Sequence, residues 1–594
     1  MNLNNRLQKL KELMISHNLD GFLVPRSDMF SGEEVPENEE RLKYISGFSG
    51  SAGFGIISSN INIKSAIFSD GRYQLQLKKE VDPIKFDCFE GGINEIGQFL
   101  IKYQNFFINL AIDPWLLTLT QYNNLKKQIQ NNKINIIYLK SNLIDEIWLD
   151  NKLELSKTVY ELSTDYTGKK RSSKIMELTQ TIKDHGGDYY ILFRPTGLAW
   201  LLNIRGNDLK HTPVLRSFCI ISKTGEVLIF TDNNNIEGIF IKDNTIKIYN
   251  FNEFTSFIQS IKKKIFLIDD QVLPFKLYEE LKRAKLVVKN IFCPVEKSKS
   301  IKNIVELKGM RSAHLKDGVA FIKLLFWFEK KLKYKDISES SIVSKLLEIR
   351  SLEKTFVCES FATISAFADN GAIIHYKVTK LSDKKIHKDG LYLLDTGGHY
   401  LEGTTDTTRT ILVGKAEPQM IKDFTLVLKG HIALSRTVFP IGTKGRDLDA
   451  IARKSLWLEG KDYAHGTGHG VGCFLSVHEG PISISKNSDC IIENGMVISN
   501  EPGYYLQGKY GIRIENLEVV SQKKFSGDIN NFLCFENLTR VPLDLNLIDK
   551  NLLNENEINW VNNYHNKIYK DLSEMLKNND EELLDFLKLK TSKI

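Results

Sequence analysis

Two apolar runs that each end on a carboxylate at a glycine turn constrain this chain more than anything else in it. Leu391-Tyr392-Leu393-Leu394 runs into Asp395-Thr396-Gly397-Gly398, and Met496-Val497-Ile498-Ser499-Asn500 runs into Glu501-Pro502-Gly503. Short apolar runs bounded by glycine turns predict buried strands. Asp406 follows Asp395 by eleven residues, inside Thr404-Thr405-Asp406-Thr407-Thr408-Arg409-Thr410. As a strand, that segment puts Asp406, Thr408 and Thr410 on one face, and a hairpin would bring Asp395 and Asp406 together. In Gly511-Ile512-Arg513-Ile514-Glu515-Asn516 the same period of two sets Ile512 and Ile514 opposite Arg513 and Glu515. Carboxylates crowded at strand ends repel, so one must take up a proton unless a cation lies between them.

Histidine and glycine add to this pattern. His465-Gly466-Thr467-Gly468-His469-Gly470-Val471-Gly472 holds two histidines in a glycine run, and His478-Glu479-Gly480-Pro481 begins nine residues after His469. No Lys-Ser/Thr follows the run, so it is not a phosphate loop. Gly466, Gly468 and Gly470 are expected to let backbone approach a crowded site around His469. His478 comes after Leu475-Ser476-Val477, which reads as a short strand, and before a turn. Asp395, Asp406, His469, Glu501 and Glu515 together offer two Asp, two Glu and one His. That donor set suits two divalent cations of the harder kind with bridging carboxylates. Such a pair can hold a hydroxide and clamp a carbonyl oxygen.

The first 300 residues carry a weak internal repeat. The strand-like segment 21–25 and the segments 44–47 and 67–70 after it recur in order at 189–193, 200–206 and 229–232. Amphipathic helices, for example at 175–182 and 254–261, alternate with them, so each half reads as an α/β unit. Two copies do not make a solenoid. A lysine-rich connector, 296–308, leads to a strong helix marked by Val319, Ile322, Leu325 and Phe326, then a strand-rich region with glycine turns to about 535. Late helices are expected at 555–569 and 581–589. The predicted domains are 1–155, 156–297, 298–535 and 536–594.

Composition excludes some partners. The net charge of +7 is small for 594 residues, and no basic run carries interleaved aromatics, so no nucleic acid is expected. No stretch of about 18 apolar residues occurs, so no membrane span is expected. Leu3, Leu7, Leu10 and Met14 recur at helical spacing among basic residues, which predicts an amphipathic helix and not a signal peptide. The seven cysteines form no CxxC pair and their number is odd. That argues against a zinc ribbon or a disulfide framework and suits a reducing cytoplasm.

The set Asp395, Asp406, His469, Glu501 and Glu515, in that order, resembles the metal set of the pita-bread metallopeptidases. The family includes methionine aminopeptidase, prolidase, aminopeptidase P and the metal-free creatinase. The strings that carry the likeness are those above, with Val477-His478-Glu479-Gly480-Pro481 and Asn500-Glu501-Pro502-Gly503-Tyr504-Tyr505. Over nearly its whole length the chain resembles the long, three-domain form of Xaa-Pro aminopeptidase. The resemblance implies an α/β and α+β multidomain fold, with two related α/β domains ahead of a pita-bread catalytic domain. It also implies release of the N-terminal residue from peptides with proline second, by attack of a metal-bound hydroxide. Two divalent ions are implied, with Mn²⁺ the best match and Co²⁺ or Zn²⁺ also suited, in a cytoplasmic homodimer.

By the same resemblance Asp395 binds one metal, His469 and Glu501 bind the other, and Asp406 and Glu515 bridge. Glu501 is the general acid and base. His375, His465 and His478 steady the carbonyl oxygen and the tetrahedral intermediate, Arg513 holds a ligand carboxylate, and His375 and Tyr376 line a proline pocket that His478 also faces. His399, where relatives carry Gln, and Ala368-Asp369 depart from the pattern. Two other readings remain open at this point: a prolidase-type dipeptidase, which would cleave Xaa-Pro but nothing longer, and a metal-free peptide- or histone-binding module, which metal analysis would reveal.

Overall fold

A computed structural model of the chain describes residues 2–594 apart from 152–157, 242, 335–336, 526, 528–530 and 578–580. The expected boundary near residue 155 lies outside the described residues. The chain forms two compact units, one of Met1–Leu162 with Lys169–Val295 and one of Ser163–Gly168 with Glu296–Ile594.

The first unit contains the repeat as two six-stranded sheets of the same order. In the first, Gly21–Pro25 lies between Phe54–Ser58 and Asn109–Ile112; in the second, Tyr189–Leu192 lies between Phe218–Ser222 and Ile265–Ile268. Each central strand pairs antiparallel on one side and parallel on the other. Strands buried on both faces read as continuous apolar runs, and Gly21–Pro25 is buried at every position. The two sheets share one core, in which Leu23, Phe68 and Leu110 join Phe193, Phe218 and Phe266. Tyr122 stacks on Phe275 across it with ring centroids 3.6 Å apart. The helix Leu3–Ser16 buries Leu7, Leu10 and Met14, as its spacing predicts.

In the second unit the expected connector is mostly helix. Pro294–Ser300 is helical, and a 29-residue helix, Ile304–Leu332, starts inside the lysine-rich stretch. Asn303 Oδ1 accepts from the N–H groups of Val305 and Glu306, and Glu306 accepts from the Asn303 N–H, which closes a capping box. Two further helices, Pro418–Ser435 and Gly445–Trp457, stand where the sequence reads as strands and turns. The first buries Phe424, Leu426, Val427, Leu428, Ile432 and Leu434, so apolar residues lie nearly all round it and blur the helical period.

Around these helices lie a three-stranded sheet (Ile364–Phe367, Gly390–Thr396, Thr407–Val413), a four-stranded sheet ending in Val497–Asn500, and the ribbon of Gly503–Leu506 with Tyr510–Arg513. The tail helices Glu555–Leu576 and Glu581–Lys590 pack Val561, Ile568, Leu572 and Leu587 into the core of this second unit, with Phe424, Leu394 and Ile512. Residues 475–477 form no strand, because Gly472 N–H donates to Ser476 O at 3.0 Å and tightens the segment into a turn.

Candidate metal centre

Gly390–Thr396 and Thr407–Val413 pair antiparallel with Asp395 opposite Thr408, so the expected hairpin forms. Asp406 lies one residue before the second strand and not within it. Thr408 and Thr410 share a face, as predicted. The Thr408 hydroxyl donates to Glu515 Oε2 at 2.8 Å and that of Thr410 to Arg513 O at 3.0 Å. The strand Tyr510–Arg513 ends before Glu515, while Ile512 and Ile514 are wholly buried in the apolar core. His469 closes the two-residue strand Gly468–His469, paired with Ser483–Ile484. A Cβ on Gly468 would stand 1.9 Å from Ser499 O, so this close approach needs glycine; Gly466 has its nearest neighbours at 3.4 Å and no such need.

These elements bring the acidic residues together. Ligand atoms of Asp406, His469 and Glu515 all lie within 4.8 Å of one another. His469 Nε2 is 3.6 Å from Asp406 Oδ2 and 3.4 Å from Glu501 Oε1. Asp395 joins through Arg513, whose Nη2 is 2.5 Å from Asp395 Oδ2. Burial, then the fields of Glu515, Asp395 and Glu501, push Asp406 well above the usual carboxylate range. Burial and the charges of Glu501 and Asp395 do the same to Glu515. Burial pushes Glu501 up to about 7, with Asp395 adding to the effect and Arg513 and His478 opposing it. Asp395 Oδ1, Asp406 Oδ1 and Glu515 Oε1 are buried with no hydrogen-bond partner among the described residues. Buried polar atoms are ordinarily paired. Acceptors left open among carboxylates that repel one another therefore fit divalent cations.

The surrounding shell is ordered by hydrogen bonds. Arg513 donates to Tyr505 Oη at 2.8 Å, to Thr408 Oγ1 at 3.1 Å and to Ile374 O at 3.4 Å. The last contact holds the backbone next to His375. His465 Nε2 is 2.8 Å from the same Tyr505 hydroxyl. Ser499 Oγ accepts from His469 N–H at 2.9 Å and donates to Glu501 Oε1 at 3.2 Å. The His478 ring stands edge-on to that of His469, centroids 4.1 Å apart.

Tyr376 is buried, and its hydroxyl donates to Glu339 Oε2 at 2.8 Å and accepts from Asn370 Nδ2 at 2.9 Å. His399 is buried too, with Nδ1 3.0 Å from Thr404 Oγ1. Tyr505 and Ser499 carry no role in the sequence reading. The available signal for Tyr505 is its period-two relation to Gly503, which pairs with Arg513; with no side chain on Gly503, the Tyr505 hydroxyl can lie over that position.

Comparison with known proteins agrees with this geometry. The model of metallopeptidase family M24 matches residues 308–522, and that of its C-terminal region matches 531–594. Models of the creatinase/prolidase N-terminal domain match 6–146 and 150–306. A probable Xaa-Pro aminopeptidase P of Laccaria bicolor is 36% identical over 608 residues, covering 100% of this chain and 94% of the relative. One of Coprinopsis cinerea is 34% identical over 620 residues, covering 100% and 98%. The crystal structure of an X-prolyl aminopeptidase from Caenorhabditis elegans, described as a cytosolic enzyme with a di-nuclear active site, covers 100% of both chains with a TM-score of 0.94 and 31% identity. Two related creatinase-type α/β domains thus precede a pita-bread domain, and the chain belongs to the Xaa-Pro aminopeptidases of metallopeptidase family M24.

Proposed function

We propose that this metal-dependent aminopeptidase releases the N-terminal residue from peptides with proline second, and that Asp395, Asp406, His469, Glu501 and Glu515 hold two divalent ions for that purpose. The observation that carries the assignment is the set of buried, unpartnered carboxylate oxygens on Asp395, Asp406 and Glu515. In this arrangement Asp395 would hold one ion, His469 and Glu501 the other, and Asp406 and Glu515 would serve both. When bound, ions of this kind lower the pKa of water and polarise a carbonyl oxygen.

The residues do the rest. Arg513 fixes the Asp395 carboxylate, and Tyr505 links Arg513 to His465. Glu501 takes a proton from the attacking water and gives it to the proline nitrogen as the C–N bond breaks. His375 and His478 donate to the carbonyl oxygen as negative charge develops there; His465, expected to do the same, has Nδ1 2.7 Å from Gly466 O and Nε2 on the Tyr505 hydroxyl, so it acts through Tyr505 and Arg513. Proline lacks an N–H and fixes its φ, so a shaped pocket can select it. His375 and Tyr376 form that pocket in this reading, Tyr376 through its ring, because its hydroxyl is held by Glu339 and Asn370.

Manganese suits the oxygen-rich donor set. A homodimer, a cytoplasmic location and division near 155, 297 and 535 complete the proposal. Seven cysteines, none of them in a disulfide, suit a reducing compartment. An assay of Xaa-Pro-Yaa peptides beside Xaa-Pro dipeptides tests the substrate assignment. Release of Xaa from the longer peptides is expected; turnover of the dipeptides alone would make the chain a prolidase-type dipeptidase.

A further inference from the structure

Lysine is almost never fully buried unless it is paired, yet Lys299 and Lys302, in the lysine-rich stretch, are 2% and 4% exposed. Both reach one carboxylate. Lys302 Nζ is 2.5 Å from Glu479 Oε1, and Lys299 Nζ is 2.9 Å from Glu479 Oε2 and 3.2 Å from Glu296 Oε2. Glu296 and Glu479 are themselves buried, so two cations and two anions cancel. Lys302 is fixed in turn: its N–H donates to Gly495 O at 2.9 Å and its Nζ to Ser300 O at 3.2 Å.

Glu479 is the residue after His478. Its N–H donates to Gly470 O at 2.7 Å, and a Cβ on Gly470 would stand 2.3 Å from Glu479 O. The segment that leaves His469 is therefore brought back beside its own start, and Glu479 is locked from outside by the two lysines. This closure leaves the His478 ring against that of His469. Apolar side chains could hold such a turn at least as well, since burying charges costs desolvation that pairing often fails to return. What the ion pairs add is direction.

We propose that Lys299 and Lys302 are positioning residues which, by gripping Glu479, set the orientation of the His478 imidazole toward the substrate carbonyl. The proposal rests on the catalytic reading of His478 given above. It is tested with Lys302→Met, which leaves Glu479 paired to Lys299, made in the wild-type and in the His478→Ala background. Metal content, melting temperature, kcat and KM are measured on each.

In the wild-type background kcat is expected to fall about ten- to a hundredfold, the scale for misplacement of a catalytic group, with KM and metal content unchanged. Lys302→Arg should recover most of the loss. His478→Ala should itself lose about 10²–10³ in rate, and adding Lys302→Met to it should cost nothing more per folded molecule. An equal loss in both backgrounds overturns the proposal and makes the cluster a matter of folding alone. An undiminished rate in His478→Ala overturns the catalytic reading of His478, and the proposal with it. If Lys302→Met does not fold, Lys299→Met carries the same test.

Discussion

Asp317 and Asp406 are buried to nearly the same degree, 3% and 4% exposed, and their surroundings are opposite. Asp317 Oδ1 accepts from Arg350 Nε and the Tyr400 hydroxyl, both at 2.8 Å; Oδ2 accepts from Arg350 Nη2 at 3.1 Å and the Thr405 hydroxyl at 3.0 Å. Both of its oxygens are satisfied and its charge is cancelled. Asp406 faces Glu515, Asp395 and Glu501, and its Oδ1 has no partner among the described residues. The two surroundings adjoin on one strand, where Thr396 accepts from Arg350 and Asp395 belongs to the acidic cluster. A buried carboxylate that the protein neutralises itself is structure. One that the protein leaves facing its own kind is a place for a cation.

The largest effect is expected at Glu501. Glu501→Gln keeps the shape but loses the proton relay and a ligand charge, and kcat should fall by about 10²–10⁴ for the acid–base role alone. A near-native kcat would move that role to another residue. Asp317→Asn should do the reverse. It leaves Arg350 buried without its counter-charge, at a cost of about 3–5 kcal/mol in stability, while metal content and rate per folded molecule stay close to native. Denaturant melts with single-turnover rates check this, and a large loss of rate with little loss of stability would erase the distinction between the two aspartates.

The smallest effect is in pH. Without metal, the folded state keeps protons on Asp406, Glu515 and Glu501 that the unfolded chain releases near pH 4. The folded state then binds more protons between that pH and about 7, the value to which Glu501 is pushed. The stability of the chelated protein should therefore be greatest at the acid end of this window and fall as pH rises through it. A tenfold change in a carboxyl group's acidity on folding corresponds to about 1.4 kcal/mol. The melting-temperature gap between metal-loaded and chelated protein should widen between about pH 5 and about pH 7.5. A constant gap would mean that the carboxylates do not feel one another.

Much of this was legible in the sequence because the signals were local. A strand ending on Asp395 at a glycine turn, the alternation around Arg513 and the doubled sheet motif all depend on neighbours within a few residues. Long-range pairings were not legible. Lys302 and Glu479 are 177 residues apart, and the lysine-rich composition of 296–308 reads only as a connector. Helix Pro418–Ser435 was missed because burial on most faces removes the period that marks a helix at a surface. The strand expected at 475–477 was lost to a tight turn from Gly472. Tyr505 and Ser499 gave little signal because each acts by bridging residues that the fold brings together.

Two divalent ions complete the carboxylate cluster around Asp406 in the reading proposed here, and metal titration decides it: the purified protein is stripped of metal and Mn²⁺ restored in measured amounts while release of Xaa from an Xaa-Pro-Yaa peptide is followed. No turnover is expected after exhaustive chelation, with full recovery as the second ion binds per chain. Full turnover with no metal detectable would show that the cluster works without ions.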